Sequence, residues 1–160
     1  MKKIIFLLTA IFLAGVLNCA QARPLAIGDK AQDFSLPDLN NQTVSLQRIL
    51  QNKQPVAFVF WASWCPECRK QLPQVNEVAK KYKGRVQFYS INTNDSQSGA
   101  SSYVKREGIE FPTLVDTSGA VADSYGILGV PTMIFIDQDG IIKSTDLDPR
   151  QIDTYLSNTK

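Results

Sequence analysis

The chain has 160 residues, 44% of them hydrophobic and 20% charged, with 17 basic against 15 acidic side chains and no histidine. That length fits one domain with one sizeable core. A near-neutral balance without a basic stripe argues against nucleic acid as a partner, and the lack of imidazole takes histidine out of any catalytic or metal-binding scheme.

Lys2 and Lys3 precede an apolar run of fourteen residues, Ile4 to Leu17, and then Ala20-Gln21-Ala22. Charge, greasy core and small-x-small site in that order predict a secretory signal over residues 1–22, cleaved after Ala22. The run is shorter than the roughly 20 residues of a membrane span. Retention as an anchor is one alternative. Lipid attachment at Cys19 is another, although Asn18 stands where such sites usually carry a small residue. Cleavage would leave 138 residues with 15 basic and 15 acidic side chains. Their setting would be the periplasm or another extracytoplasmic space, which permits disulfides.

Arg23 to Asp33 reads as an exposed arm. Phe34 to Pro37 and Thr43 to Leu46, joined by an Asn-rich turn, predict a small hairpin, and Arg48 to Lys53 a short helical connection. Pro55 to Phe60 is continuously apolar, as a strand covered on both faces should be. From Cys65 to Tyr82, Leu72, Val75, Val78, Ala79 and Tyr82 recur at helical spacing, with Pro73 as a kink and Gly84 as the stop. Lys80, Lys81 and Lys83 read as the solvated end of that helix, where cations suit the dipole. Val86 to Ile91 alternates as a strand, Asn92 to Gly99 is a polar connection, and a short helix ends at Gly108. Phe111 to Val115 is a brief extended piece and Ala120 to Tyr125 a short helix. Thr132 to Ile136 and Ile141 to Ser144 form a hairpin about Asp137-Gln138-Asp139-Gly140. Pro149 opens a last helix running to about Ser157. Strands alternating with helices and closed by a hairpin predict an α/β domain with a mixed sheet.

Cys65-Pro66-Glu67-Cys68 is the only close cysteine pair, and it follows the apolar strand directly. If the segment from Cys65 is helical, Cys68 lies one turn on. Cys65 then meets unpaired N–H groups and the positive end of the dipole, which favour a thiolate. Cys65 is the expected nucleophile and Cys68 the resolving thiol. Half of a zinc site and a purely structural disulfide are the alternatives. The first lacks ligands, and the second more often closes longer loops.

Trp61-Ala62-Ser63-Trp64-Cys65-x-x-Cys68-Arg69, the internal Pro73, and Gly129-Val130-Pro131-Thr132 ahead of a strand and Asp139-Gly140 resemble the TlpA/ResA-like family of exported thiol-disulfide oxidoreductases. The resemblance runs from about Gly28 to Ser157. It implies a thioredoxin-like mixed sheet flanked by helices over residues 23–160, with an N-terminal β-hairpin and an extra strand-helix insert after Ile91. It also implies a cis peptide bond before Pro131, Val130 pairing with an extended substrate segment beside Cys65, and Trp64 as an apolar contact surface. Trp61 reads as core. Protein disulfides or dithiols would be the substrates and a membrane thiol carrier the electron donor, in a cytochrome c maturation-type or related reducing role. The expectation is a monomer with no cofactor and no metal.

Two positions depart from the family pattern. Val59 stands where thioredoxin has a buried acid, and Gln71 where ResA-like reductants tend to have a glutamate. Neither can take a proton from Cys68. Pro66 and Glu67 are the modulating positions between the cysteines. Glu67 either opposes the thiolate's charge, which raises the Cys65 pKa, or is a solvated first-turn glutamate with no part in the chemistry. A disulfide oxidase or isomerase would use the same residues. A peroxidase and a Cu(I)-binding module, with Met133 near the pair, are the remaining alternatives.

Overall fold

The computed structural model describes residues 25–158. The expected signal sequence and Cys19 lie outside them.

Strand β1 (Ser35–Pro37) pairs antiparallel with β2 (Thr43–Ser45), and Ser45 caps the short helix α1 (Leu46–Leu50) through its side chain. Every residue of β3 (Val56–Trp61) is buried, which accounts for its unbroken apolarity. Helix α2 (Pro66–Lys81) follows. Pro66 at the first turn costs no hydrogen bond, and the helix passes through Pro73 although that residue supplies no N–H. It stops short of the expected Gly84, because the Tyr82 N–H turns back to the carbonyls of Val78 and Lys80.

Then come β4 (Gln87–Thr93), α3 (Gln97–Glu107), β5 (Thr113–Asp116), α4 (Ala120–Ser124), β6 (Thr132–Ile136), β7 (Ile142–Leu147), a 3-10 turn (Pro149–Gln151) and α5 (Ile152–Asn158). Among the boundaries that differ from the sequence reading are the start of α1, at Leu46 rather than Arg48, and those on either side of the β4–α3 connection. β4 continues through Asn92 and Thr93, and α3 starts at Gln97, with Ser96 rather than a later residue as its cap. Asn92 and Thr93 are buried despite being polar, since their side chains bond to Asp95 and Asp116.

The main sheet has the order β5-β4-β3-β6-β7. β3, β4 and β5 run parallel, while β6 is antiparallel to both β3 and β7. Side chains alternate across β3. Ala57, Val59 and Trp61 face a core shared with α2, α3 and α5; Val56, Phe58 and Phe60 face one shared with the hairpin, α1 and α4. Each large side chain sealed this way contributes about 1.5–3 kcal/mol. This is the expected thioredoxin-like mixed sheet flanked by helices. β3 ends at Trp61, opposite Asn92 of the parallel strand β4, and the cysteine pair sits just past that edge.

Candidate active site

Cys65 is the N-cap of α2, with extended backbone (φ −85°, ψ 111°), and its Sγ accepts the Cys68 N–H at 3.1 Å. The Cys65 N–H donates to the Ala62 carbonyl at 3.1 Å, closing a turn between β3 and the helix. Cys65 and Cys68 form a disulfide with Cα atoms 5.4 Å apart. Cys65 retains 3% of its exposure and Cys68 none, so any approach to the pair is narrow and comes from the Cys65 side.

That approach is bordered by two loops. The Val130–Pro131 peptide is cis, as the resemblance implies, and the Val130 carbonyl oxygen lies 3.5 Å from Cys65 Sγ. Val130 and Pro131 are both half-buried. Trp64 is 61% exposed and donates its indole N–H to the Asn94 carbonyl at 3.2 Å. Trp61, by contrast, is fully buried, with its ring centroid 4.6 Å from that of Tyr103. The geometry thus brings Trp64, Cys65, Cys68, Val130 and Pro131 to one place.

Pro66 is exposed, and Glu67 lies on the outer side of the first turn of α2. The Gln71 amide donates to Glu67 Oε1 at 2.9 Å, and the Lys70 ammonium to Oε2 at 3.1 Å. These bonds, Gln71 first, together with the Lys70 charge hold the Glu67 carboxyl below its ordinary range. Glu67 is therefore ionised at neutral pH, with a cation beside it. Gln71 is buried, and Val59 lies in the core among apolar neighbours. Among the described residues, no group of three or more His, Cys, Asp or Glu side chains is placed to hold a metal ion.

Sequence reasoning missed the support behind the reactive turn. Asp95 Oδ2 accepts the Ser63 N–H at 2.7 Å and the Asn92 amide at 3.1 Å, and Oδ1 accepts the Ser96 N–H at 2.7 Å. The available signal was a cluster of polar residues, Asn92, Asn94 and Asp95, at the end of the alternating strand β4.

Residues 27–145 match the model of the AhpC/TSA family. The chain is 30% identical over 117 residues to the thiol-disulfide oxidoreductase ResA of Bacillus thuringiensis subsp. konkukian, covering 72% of this chain but only 66% of that relative's length. It is 30% identical over 121 residues to ResA of Geobacillus thermodenitrificans, covering 74% of this chain and 68% of that one. Among solved structures, a Chlorobium tepidum protein assigned as the thiol:disulfide interchange protein DsbE superposes with a TM-score of 0.74 at 30% identity, over 84% of this chain and 96% of that one. Taken with the cysteine pair at the head of α2 and the Val130–Pro131 loop against it, these matches show that the chain belongs to the AhpC/TSA family and groups with its ResA-like relatives.

Proposed function

We propose that the protein is an exported thiol-disulfide oxidoreductase that reduces disulfides of protein substrates. The observation that carries this is the position of the Cys65 sulfur: it caps a sixteen-residue helix, accepts the Cys68 N–H and lies against the Val130 carbonyl. In the reduced protein the same cap favours the thiolate.

Cys65 thiolate attacks one sulfur of a substrate disulfide. The substrate S–S bond breaks, a Cys65–substrate disulfide forms, and one substrate thiolate leaves and takes a proton. Cys68 then gives up its proton and attacks the Cys65 sulfur. The second substrate thiol is released, and the Cys65–Cys68 disulfide holds the two electrons' worth of oxidation. The proton of Cys68 passes to water, to Glu67 or to the departing substrate thiolate, since Val59 and Gln71 cannot accept it.

Val130 and Pro131 border an extended substrate segment, and Trp64 gives it an apolar surface. Pro66 fixes the first helical turn, while Glu67 tempers the thiolate, with Lys70 offsetting part of its field. A membrane thiol carrier outside the cytoplasm restores the dithiol, and cytochrome c precursors are the leading substrate class. The ResA relatives, named thiol-disulfide oxidoreductases, support disulfide exchange as the reaction, with reduction as its proposed direction. Cell extracts carrying the Cys68→Ala variant test it. Cytochrome precursors disulfide-linked to Cys65 are the expected catch, whereas a broad set of newly exported proteins would assign the protein to oxidation or isomerisation instead.

A further inference from the structure

The loop after β4 holds the turn that leads into Cys65. Asp95 takes the Ser63 N–H, and the residue before it, Asn94, takes the Trp64 indole N–H. Two consecutive residues of one loop thereby clamp two consecutive residues of the other. Partial burial works against a charge on Asp95. The Ser63 hydroxyl and N–H, the Asn92 amide and the Ser96 N–H nonetheless keep its carboxyl below the ordinary range. It is ionised at neutral pH, and its bonds are charge-assisted.

Gly99 carries the same relationship from the other side. It sits in the first turn of α3, where its N–H meets the Ser96 cap. A Cβ there would stand 2.7 Å from Asp95 Oδ1 and 3.1 Å from Ser63 Oγ. The missing side chain leaves room for Asp95, which is pinned by three hydrogen bonds and has little freedom to move aside.

We propose that Asp95 is a positioning residue of the thiol site: with space left by Gly99, its carboxylate fixes Ser63 so that Cys65 enters α2 with its sulfur in reach of the Cys68 N–H. This rests on Cys65 being the attacking thiol. A displaced turn lengthens the N–H···S contact and removes stabilisation from the thiolate, which raises the Cys65 pKa. Simple loss of a nearby negative charge acts the other way and lowers it. The two effects differ in sign.

The test is the pH dependence of iodoacetamide alkylation of Cys65 in a Cys68→Ala background, with circular dichroism as the check on folding. Asp95→Ala and Gly99→Ala are each expected to raise the alkylation midpoint by about half a pH unit or more. Asp95→Asn, which keeps an acceptor for the Ser63 N–H, brings the midpoint back toward the parent. Gly99→Ala alters no charge and carries the test alone if Asp95→Ala does not fold. Unchanged midpoints overturn the proposal, and so does a lower midpoint in Asp95→Ala with Gly99→Ala unmoved. An inert parent would instead remove the attacking-thiol assignment itself, and the proposal with it.

Discussion

The Val130 carbonyl oxygen lies 3.5 Å from the Cys65 sulfur, although 65 positions separate the two residues in the chain. That contact joins the start of α2 to the loop entering β6, and it leaves Cys65 as the only cysteine of the pair with any exposure. In the reduced wild-type protein, brief treatment with iodoacetamide followed by peptide mapping is expected to label Cys65 about tenfold faster than Cys68 or more. Equal labelling would mean that the order of attack assigned to the two thiols is wrong.

Val59 lies in a fully buried, apolar stretch of the central strand. Val59→Asp places a carboxyl in this apolar core and is expected to cost about 3–5 kcal/mol at neutral pH. Its folded-state pKa rises above the unfolded value of about 3.9, so the electrostatic penalty is absent below that pH and grows as pH rises toward the folded value. Urea midpoints of variant and parent should therefore lie closer at pH 4 than at pH 7. A deficit independent of pH would show that the new carboxyl reaches water.

Asp137 organises the β6–β7 turn. Its Oδ1 accepts the N–H groups of Asp139 and Ile141, both at 2.9 Å, and its Oδ2 lies 3.0 Å from Lys143 Nζ. Partial burial opposes its charge, but the Ile141 N–H and Lys143 outweigh that and lower its pKa. A depressed folded pKa gives stability that is present above the unfolded value and is lost as pH falls through the folded one. Asp137→Asn should lower the melting temperature by about 2–4 °C at pH 7, a figure already reduced for solvent around the exposed lysine. The gap should close as pH falls through the depressed folded value. A gap that persists in acid would assign the loss to geometry rather than charge.

Tyr103 is buried against Trp61, and among the described residues its hydroxyl has no hydrogen-bond partner. Burial, with Glu107 adding to it, pushes its phenol up to about 12. Deleting an unpaired buried hydroxyl removes a desolvation cost along with the group, so Tyr103→Phe should match the parent in urea unfolding or exceed it by about 1 kcal/mol. A clear loss of stability would reveal a partner for that hydroxyl.

The parts of this molecule written in local patterns were readable from the chain. β3 shows as an apolar run, α2 as helical spacing from Leu72 to Tyr82, and the β6–β7 hairpin as an Asp-Gly turn between two apolar stretches. The cysteine pair and the Val130–Pro131 loop were legible as motifs, although only the folded chain sets them side by side. Asn92 and Thr93 were read as a connection because polar side chains ordinarily mark one. Their burial depends on Asp95 and Asp116, and the second of these lies on another strand. Gly99 reads in the sequence as the close of that same polar connection: its meaning lies in how closely Asp95 and Ser63 approach it, and no local pattern records that.

The atom that forms and breaks the disulfide is also the acceptor that caps the start of α2. Each half of the reaction thus acts on the cap of a helix, because the charge on the Cys65 sulfur, and with it the strength of the bond accepted from the Cys68 amide, changes between thiolate and disulfide. Oxidation state becomes legible in the backbone, as protection gained or lost by one amide proton one turn into the helix, even when the partner protein is invisible.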